Sequence, residues 1–268
     1  MTLDLILSFD SLSRVDGSAR FGFGLYPQYL TSISGPIEVR LASEQPSQST
    51  IEVHVRPLTN VPGTESKKAA VILKEILQME VIVEANPRTL IQFVVQALVP
   101  TPNVTDELVA AMINCCTLSL LNAGSVPMRG VICAVSVARF SPPVKGGIPI
   151  YKVQSTEEPI SRLEATGCFA FLFSDSVSSS TYASSCIWTN WHSSYSGSAK
   201  AVDEDDLVRA RDVARSAARE VWDRMKLLIE ERERPKIGMK GSLVKIASHE
   251  MADAEKMDVE EDDAKMEI

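Results

Sequence analysis

Residues 105–130 read TDELVAAMINCCTLSLLNAGSVPMRG, and the organisation of the chain follows from how that stretch folds. Thr105 supplies a hydroxyl that can accept a hydrogen bond from an orphan N–H of a first helical turn. Gly124 suits the left-handed position that follows a last turn. No charge occurs between Glu107 and Gly124, and Ala110, Ala111, Cys115, Cys116 and Ser119 are small. A helix apolar on most faces is a buried helix, so 105–124 is expected in the middle of a domain with close neighbours around it. Residues 130–140, GVICAVSVARF, follow as a buried strand.

Working outward, 12–40 reads as strands and turns, with a turn at Asp16-Gly17 and a break in the β pattern at Gly35-Pro36. The GFG at 22–24 lacks the third glycine and the following helix of a nucleotide fingerprint. Residues 51–56 alternate, with Ile51, Val53 and Val55 on one face and Glu52, His54 and Arg56 on the other; His54 reads as solvent-facing. Thr64 to Val83 is a helix carrying Val71, Ile72, Leu73, Ile76, Leu77 and Val81 at helical spacing. Its first turn holds Lys67 and Lys68, where the macrodipole disfavours cations. That misfit hints at anion binding. After a turn at Asn86–Thr89, Leu90 to Val99 is a buried strand.

Residues 141–150 are Pro- and Gly-rich and 153–161 are polar. GCFAFLF (167–173) and YASSCIWTNW (182–191) form an expected hairpin. Asp203 to Arg234 is a helix, with acids at its start, arginines towards its end and an apolar stripe through Leu207, Val213 or Ala214, Ala217, Val221, Met225 and Leu228. Trp222 reads as core, and Pro235 stops the helix.

Composition narrows the classes. The chain of 268 residues is 45% apolar and 23% charged, as in ordinary globular proteins. No apolar run is long enough for a membrane span, and the acidic N-terminal stretch does not resemble a signal peptide. Five cysteines without a C-x-x-C pattern read as free thiols in a reducing compartment, with Cys115 and Cys116 in the core. The last twenty residues hold nine acids against Lys256 and Lys265, which is most of the formal charge of −8. Residues 237–268 are therefore expected to be an acidic, disordered tail. No Ser/His/Asp grouping, G-x-S-x-G or metal-ligand cluster is present, so no catalytic residue, metal or cofactor is expected.

Five motifs in one order, LSRVDGS (12–18), GPIEV (35–39), VRP (55–57), PRT (87–89) and 114–129 ending NAGSVPMR, resemble those of the ribonuclease PH family. The resemblance runs from about residue 12 to 233 and is closest to the branch that builds RNA exosome rings. Ser125 and the serine-rich loops depart from the usual pattern.

The resemblance implies an α+β ribonuclease PH-type fold over 1–236, with two similar β/α halves, about 1–140 and 141–236, and mixed sheets packed on helices. It implies a hexameric ring of related exosome subunits, S1/KH-type RNA-binding cap proteins, associated hydrolytic nucleases, single-stranded RNA and no membrane. Nucleus, nucleolus and cytoplasm are the implied locations, with rRNA processing among the tasks.

Active relatives place a Gly-Thr-Arg type segment before the central helix to cradle phosphate. Here PTPNVTDELV lacks Gly and Arg, and Asp106 and Glu107 occupy the first turn. Lys67-Lys68 replaces the arginine pair of the preceding helix. Glu157, Glu158 and Glu164 precede GCFAFLF without the expected aspartate pair. A non-catalytic ring subunit is the resulting expectation, with Lys67, Lys68 and Arg88 as RNA contacts; Arg88 could instead simply pair with a carboxylate. The competing readings are an active phosphate-dependent 3′ exoribonuclease and a free-standing RNA-binding module.

Overall fold

The computed structural model describes residues 3–58, 61–100, 104–142, 149–153, 162–174, 183–193 and 203–233. The acidic tail and Glu157 and Glu158 lie outside the described residues. The chain divides into two compact units, residues 1–226 and 227–268, the second described only where it continues the last helix.

The strands are β1 (Leu5–Phe9), β2 (Gly17–Phe23), β3 (Tyr29–Glu38), β4 (Thr50–Arg56), β5 (Thr89–Ala97), β6 (Val131–Phe140), β7 (Ile150–Val153), β8 (Leu163–Ser174) and β9 (Ala183–Ser193). The α-helices are α1 (Thr64–Glu80), α2 (Asp106–Ala123) and α3 (Glu204–Glu233). β1 and β7 were absent from the sequence reading; both are short outer strands.

A five-stranded sheet runs β1-β2-β3-β5-β4 and a four-stranded sheet runs β7-β6-β8-β9. Among the described strands only β4 and β5 pair in parallel, Ile51 opposite Ile91 and Val55 opposite Val95. A parallel pair needs a crossover, and α1 supplies it. β5 alternates instead of being buried throughout: Ile91, Phe93, Val95 and Ala97 are buried, whereas Gln92, Val94 and Gln96 are not. β4 keeps the expected faces, with Ile51 and Val55 buried and His54 exposed. α1 buries Leu73, Ile76 and Leu77, but Val71 is 58% exposed and leaves the stripe assigned to it. The break in the β pattern at Gly35-Pro36 is a register shift: β3's pairing with β5 slips between Ser34 and Ile37 and then continues to Glu38.

α2 is the helix around which both sheets close. Thr105 caps it by accepting from the Leu108 N–H at 3.4 Å, and Gly124 ends it at φ 63°. Every residue from Leu108 to Leu120 is buried. Towards the first sheet, the Cys115 thiol lies 3.2 Å from the Ala19 carbonyl oxygen. Gly17 of β2 approaches so closely that a Cβ there would meet the Ser119 carbonyl oxygen at 2.5 Å.

Towards the second sheet, the Asn114 side chain donates to the Ala134 carbonyl at 2.8 Å and accepts from its N–H at 2.7 Å. The residues on that face of β6 and β8 are small: Ala134, Ser136 and Ala138 register with Ala170, Cys168 and Thr166. A low floor lets a helix of small residues settle close, where dispersion contacts are densest.

The opposite face of the second sheet carries the bulk, Phe169, Phe171 and Phe173, and α3 covers it. Trp222 of α3 stacks on Phe173 with ring centroids 5.8 Å apart. The start of α3 is tied down by buried charge. Asp206 pairs with Arg139 of β6, and the Tyr151 hydroxyl donates to Asp206 at 2.7 Å. Arg139 also lies 3.1 Å from Glu164. Burial, followed by the Asp206 carboxylate, pushes the Tyr151 hydroxyl up to about 12. Asp206, expected only to complement a helix dipole, is thus a buried anchor.

One buried carboxyl had no counterpart in the sequence reading. Glu80, in the last turn of α1, is fully buried and accepts from the Ile132 N–H and the Thr117 hydroxyl, both at 3.3 Å. Its own carbonyl accepts from the Arg129 N–H at 2.7 Å. One residue thereby joins α1, α2 and the start of β6. Burial raises its carboxyl from 4.5 to about 8, against those two hydrogen bonds.

Candidate functional site

A cleft of about 470 Å³ opens where the N-terminal turns of α1 and α2 meet the second sheet. Glu65, Lys68 and Ile72 line it from α1, Thr105, Asp106 and Glu107 from α2, and Ser136, Thr166, Asn190 and His192 from β6, β8 and β9. The sheet's alternation delivers the last three. Thr166 pairs with His192 and Cys168 with Asn190, so Thr166, Asn190 and His192 share the face turned towards α2.

Asp106 occupies the centre. Its two carboxylate oxygens accept from the Thr166 hydroxyl at 3.1 Å and the Asn190 side-chain amide at 3.2 Å. The His192 imidazole stands 3.8 Å away. Only 11% of the Asp106 side chain is exposed. Burial raises its pKa, and His192, Thr166, Asn190 and Lys68, in that order, oppose the rise.

The neighbouring acids are engaged too. Glu107 accepts from the Gln28 amide at 3.3 Å, and Glu65 accepts from the Val104 N–H at 3.0 Å. The N-terminus of a helix attracts anions because its N–H groups point outward and its dipole is positive there. Here that end of the helix is lined with carboxylates, and a phosphate entering the cleft would meet Asp106, Glu107 and Glu65 together.

The three residues expected to contact RNA do not converge. Lys68 faces the cleft, and Lys67, its exposed neighbour on α1, is not among the lining residues. Arg88 sits at the start of β5, whereas the chain leaves the far end of that strand to reach α2. Its backbone has φ 62°, its N–H donates to the Gln45 and Gln48 carbonyls, and its guanidinium lies 3.5 Å from Glu44. The carboxylate pairing weighed for Arg88 is what the structure contains. Glu164 pairs with Arg139 on the α3 side and stays out of the cleft. Among the described residues no three His, Cys, Asp or Glu side chains converge as metal ligands.

Sequence reasoning identified Asp106 and Glu107 but missed Thr166, Asn190 and His192. Period-two spacing of Asn190 and His192 within an apolar strand was the available signal. What they face depends on the sheet's position against α2. Ser125, the departure from pattern, is absorbed locally: its hydroxyl donates to the Gly35 carbonyl at 2.8 Å.

Comparison with known proteins bears on this arrangement. Residues 3–125 match domain 1 of the 3′ exoribonuclease family. The chain is 34% identical over 125 residues to the exosome complex component rrp46 of Schizosaccharomyces pombe, across 47% of this chain and 53% of that protein. It is 28% identical over 130 residues to exosome complex component RRP46 of Saccharomyces cerevisiae, across 47% and 57%. The matches therefore span about half the length of these curated relatives.

Solved structures extend the likeness to most of the chain at the level of fold. The crystal structure of rice (Oryza sativa) Rrp46 superposes with a TM-score of 0.65 at 21% identity, covering 84% of this chain and 94% of that one. The Archaeoglobus fulgidus exosome with RNA bound to the active site gives 0.57 at 15% identity, covering 82% and 87%. The fold is thus the ribonuclease PH-type α+β fold that the motifs implied.

Proposed function

We propose, from the match of residues 3–125 to the first domain of the 3′ exoribonuclease family, that this protein is a non-catalytic ring subunit of an RNA exosome of the Rrp46 type. Its work is to complete a hexameric ring with related subunits, to hold S1/KH-type cap proteins and hydrolytic nucleases, and to pass single-stranded RNA during 3′-to-5′ decay and rRNA maturation. The nucleus, nucleolus and cytoplasm are the compartments where such work is done.

One observation supports the non-catalytic reading: the Asp106 carboxylate, held by Thr166 and Asn190, stands in the first turn of α2, the end a phosphate would seek. Phosphorolysis requires inorganic phosphate beside another anion, and only positive charge or N–H dipoles bring the two together. The cleft offers Lys68, with His192 beside it, against three carboxylates. Lys67, Lys68 and Arg88 are proposed to contribute sequence-independent phosphate contacts to passing RNA.

The purified full-length chain, given single-stranded RNA, phosphate and magnesium, is expected to release no nucleoside diphosphate above background. The D106N/E107Q variant is expected to behave the same, because the arginines and aspartates of active relatives are also missing. Turnover by the unaltered chain that vanishes in K67Q/K68Q would establish the phosphorolytic reading instead. Purification from native extract is expected to bring down related ring subunits, and a monomer-sized species would argue for a free RNA-binding module.

A further inference from the structure

α3 has a flank that neither the cleft nor the buried anchor at Asp206 uses. Arg211, Arg215 and Arg219 recur every fourth residue, which places them one above another along the helix at intervals of about 6 Å. Their row lies beside the buried stripe of Ala210, Ala214, Ala218 and Val221. The Cys186 thiol of β9, pushed up by burial, is drawn back by Arg211 and Arg215, which marks the two guanidiniums as its neighbours.

None of the three arginines makes an ion pair or a hydrogen bond with another described residue, although Asp212 and Asp223 lie on the same helix. The Arg211 Nε is buried without a hydrogen-bond partner. That Nε is sealed from solvent, so an acceptor arriving from outside is met by the exposed guanidiniums of Arg215 and Arg219. Arg215 is held over the Phe171 ring at 5.9 Å, and further along the helix Lys226 lies 4.6 Å over the Trp222 ring. The aromatic floor holds Arg215 in place while its exposed guanidinium keeps N–H donors towards solvent.

We propose that this flank of α3, centred on Arg211, Arg215 and Arg219, binds the phosphate backbone of single-stranded RNA at a place separate from the cleft. The second sheet divides the two: Thr166, Asn190 and His192 face α2, whereas Phe171 and Phe173 face α3. Guanidinium is the group best matched to phosphate, because its planar fork donates two parallel bonds. A straight row of three at regular intervals suits a repeating polyanion better than the irregular charges of a folded acidic protein. Contacts of this kind hold RNA without reading its sequence. The inference rests on the RNA-handling reading above, extends it to a second surface, and separates from it in the test.

The test is binding of a fluorescent single-stranded oligouridine to the full-length chain by anisotropy over a range of salt concentrations. Three variants are compared, R211Q/R215Q/R219Q, R211K/R215K/R219K and K67Q/K68Q, each checked for native circular dichroism. R215Q/R219Q, which leaves the half-buried Arg211 intact, covers the case in which the triple Gln variant misfolds.

The triple Gln variant is expected to lose about tenfold or more in affinity at low salt. Its plot of log affinity against log salt should be shallower by about 2, three contacts at roughly 0.7 each. The Lys variant should keep most of the salt slope. Unchanged affinity in the Gln variants with a loss in K67Q/K68Q overturns the α3 site and leaves the RNA-handling reading standing. No binding by the unaltered chain overturns both. Tight binding of polyglutamate at the arginines, with RNA unaffected by their loss, assigns the flank to an acidic protein and also overturns the proposal.

Discussion

Two carboxyl groups, Glu80 and Asp106, lie on neighbouring helices and have been turned to opposite uses. Glu80 is sealed at the end of α1, with backbone and hydroxyl partners and no cation among those acting on it. Asp106 stands at the mouth of a cleft, with an amide, a hydroxyl, an imidazole and the charge of Lys68 around it. Burial raises both. The difference teaches that burial alone does not say what a carboxyl is for. Sealed away, it becomes a joint of the fold whose strength depends on pH. At a helix start beside a cleft, it keeps the polar partners that the anion-excluding role proposed for it requires.

The strongest way to break this comparison is at Glu80. Its folded-state pKa, about 8, lies above the unfolded value of 4.5, so the fold prefers the protonated form. The stability this preference contributes is full below pH 4.5 and is lost as pH rises through about 8. The loss is on the order of 5 kcal/mol at most. Urea unfolding between pH 5 and 8.5 should show stability falling in the unaltered chain, with a much flatter profile in E80Q. Parallel profiles would mean that Glu80 is not the titrating joint.

Asn114 sharpens the comparison with a neutral counterpart. It satisfies both backbone groups of Ala134 from inside the core, so N114A leaves a buried donor and acceptor without partners. A loss of about 3 kcal/mol is expected by urea unfolding, independent of pH. A pH-dependent loss would show that Asn114 acts through Glu80. The smallest effect belongs to Asp106. D106N keeps a group of the same shape between Thr166 and Asn190, and thermal unfolding at pH 7 should stay within about 1 kcal/mol of the unaltered chain. A loss above about 2 kcal/mol would make Asp106 a second structural joint.

The elements with long periodic patterns were legible beforehand. α2 starts at its Thr105 cap and ends at Gly124 as read, α3 starts within a residue of where it was read and is helical to Glu233, the last described residue, and β6, β8 and β9 lie where the apolar runs placed them. β1 and β7 were not legible, because a short outer strand owes its existence to the neighbour it pairs with. Half of the candidate site was legible in Asp106 and Glu107. The other half comes from strands more than fifty residues away, and no local pattern says that Asn190 will meet Asp106.

Local chemistry alone determined the buried central helix, its cap and stop, the anion-hostile first turn and the acidic C-terminal segment, because each depends on residues within a few positions of one another. Only the tertiary structure decided that Asp106 is held by Thr166 and Asn190, that Glu80 joins three elements, that Arg88 is paired with Glu44, and that Arg211, Arg215 and Arg219 of α3 find no ion-pair partner among the described residues. These are facts about which surfaces meet, and they are set by the packing of two sheets against one helix of small residues.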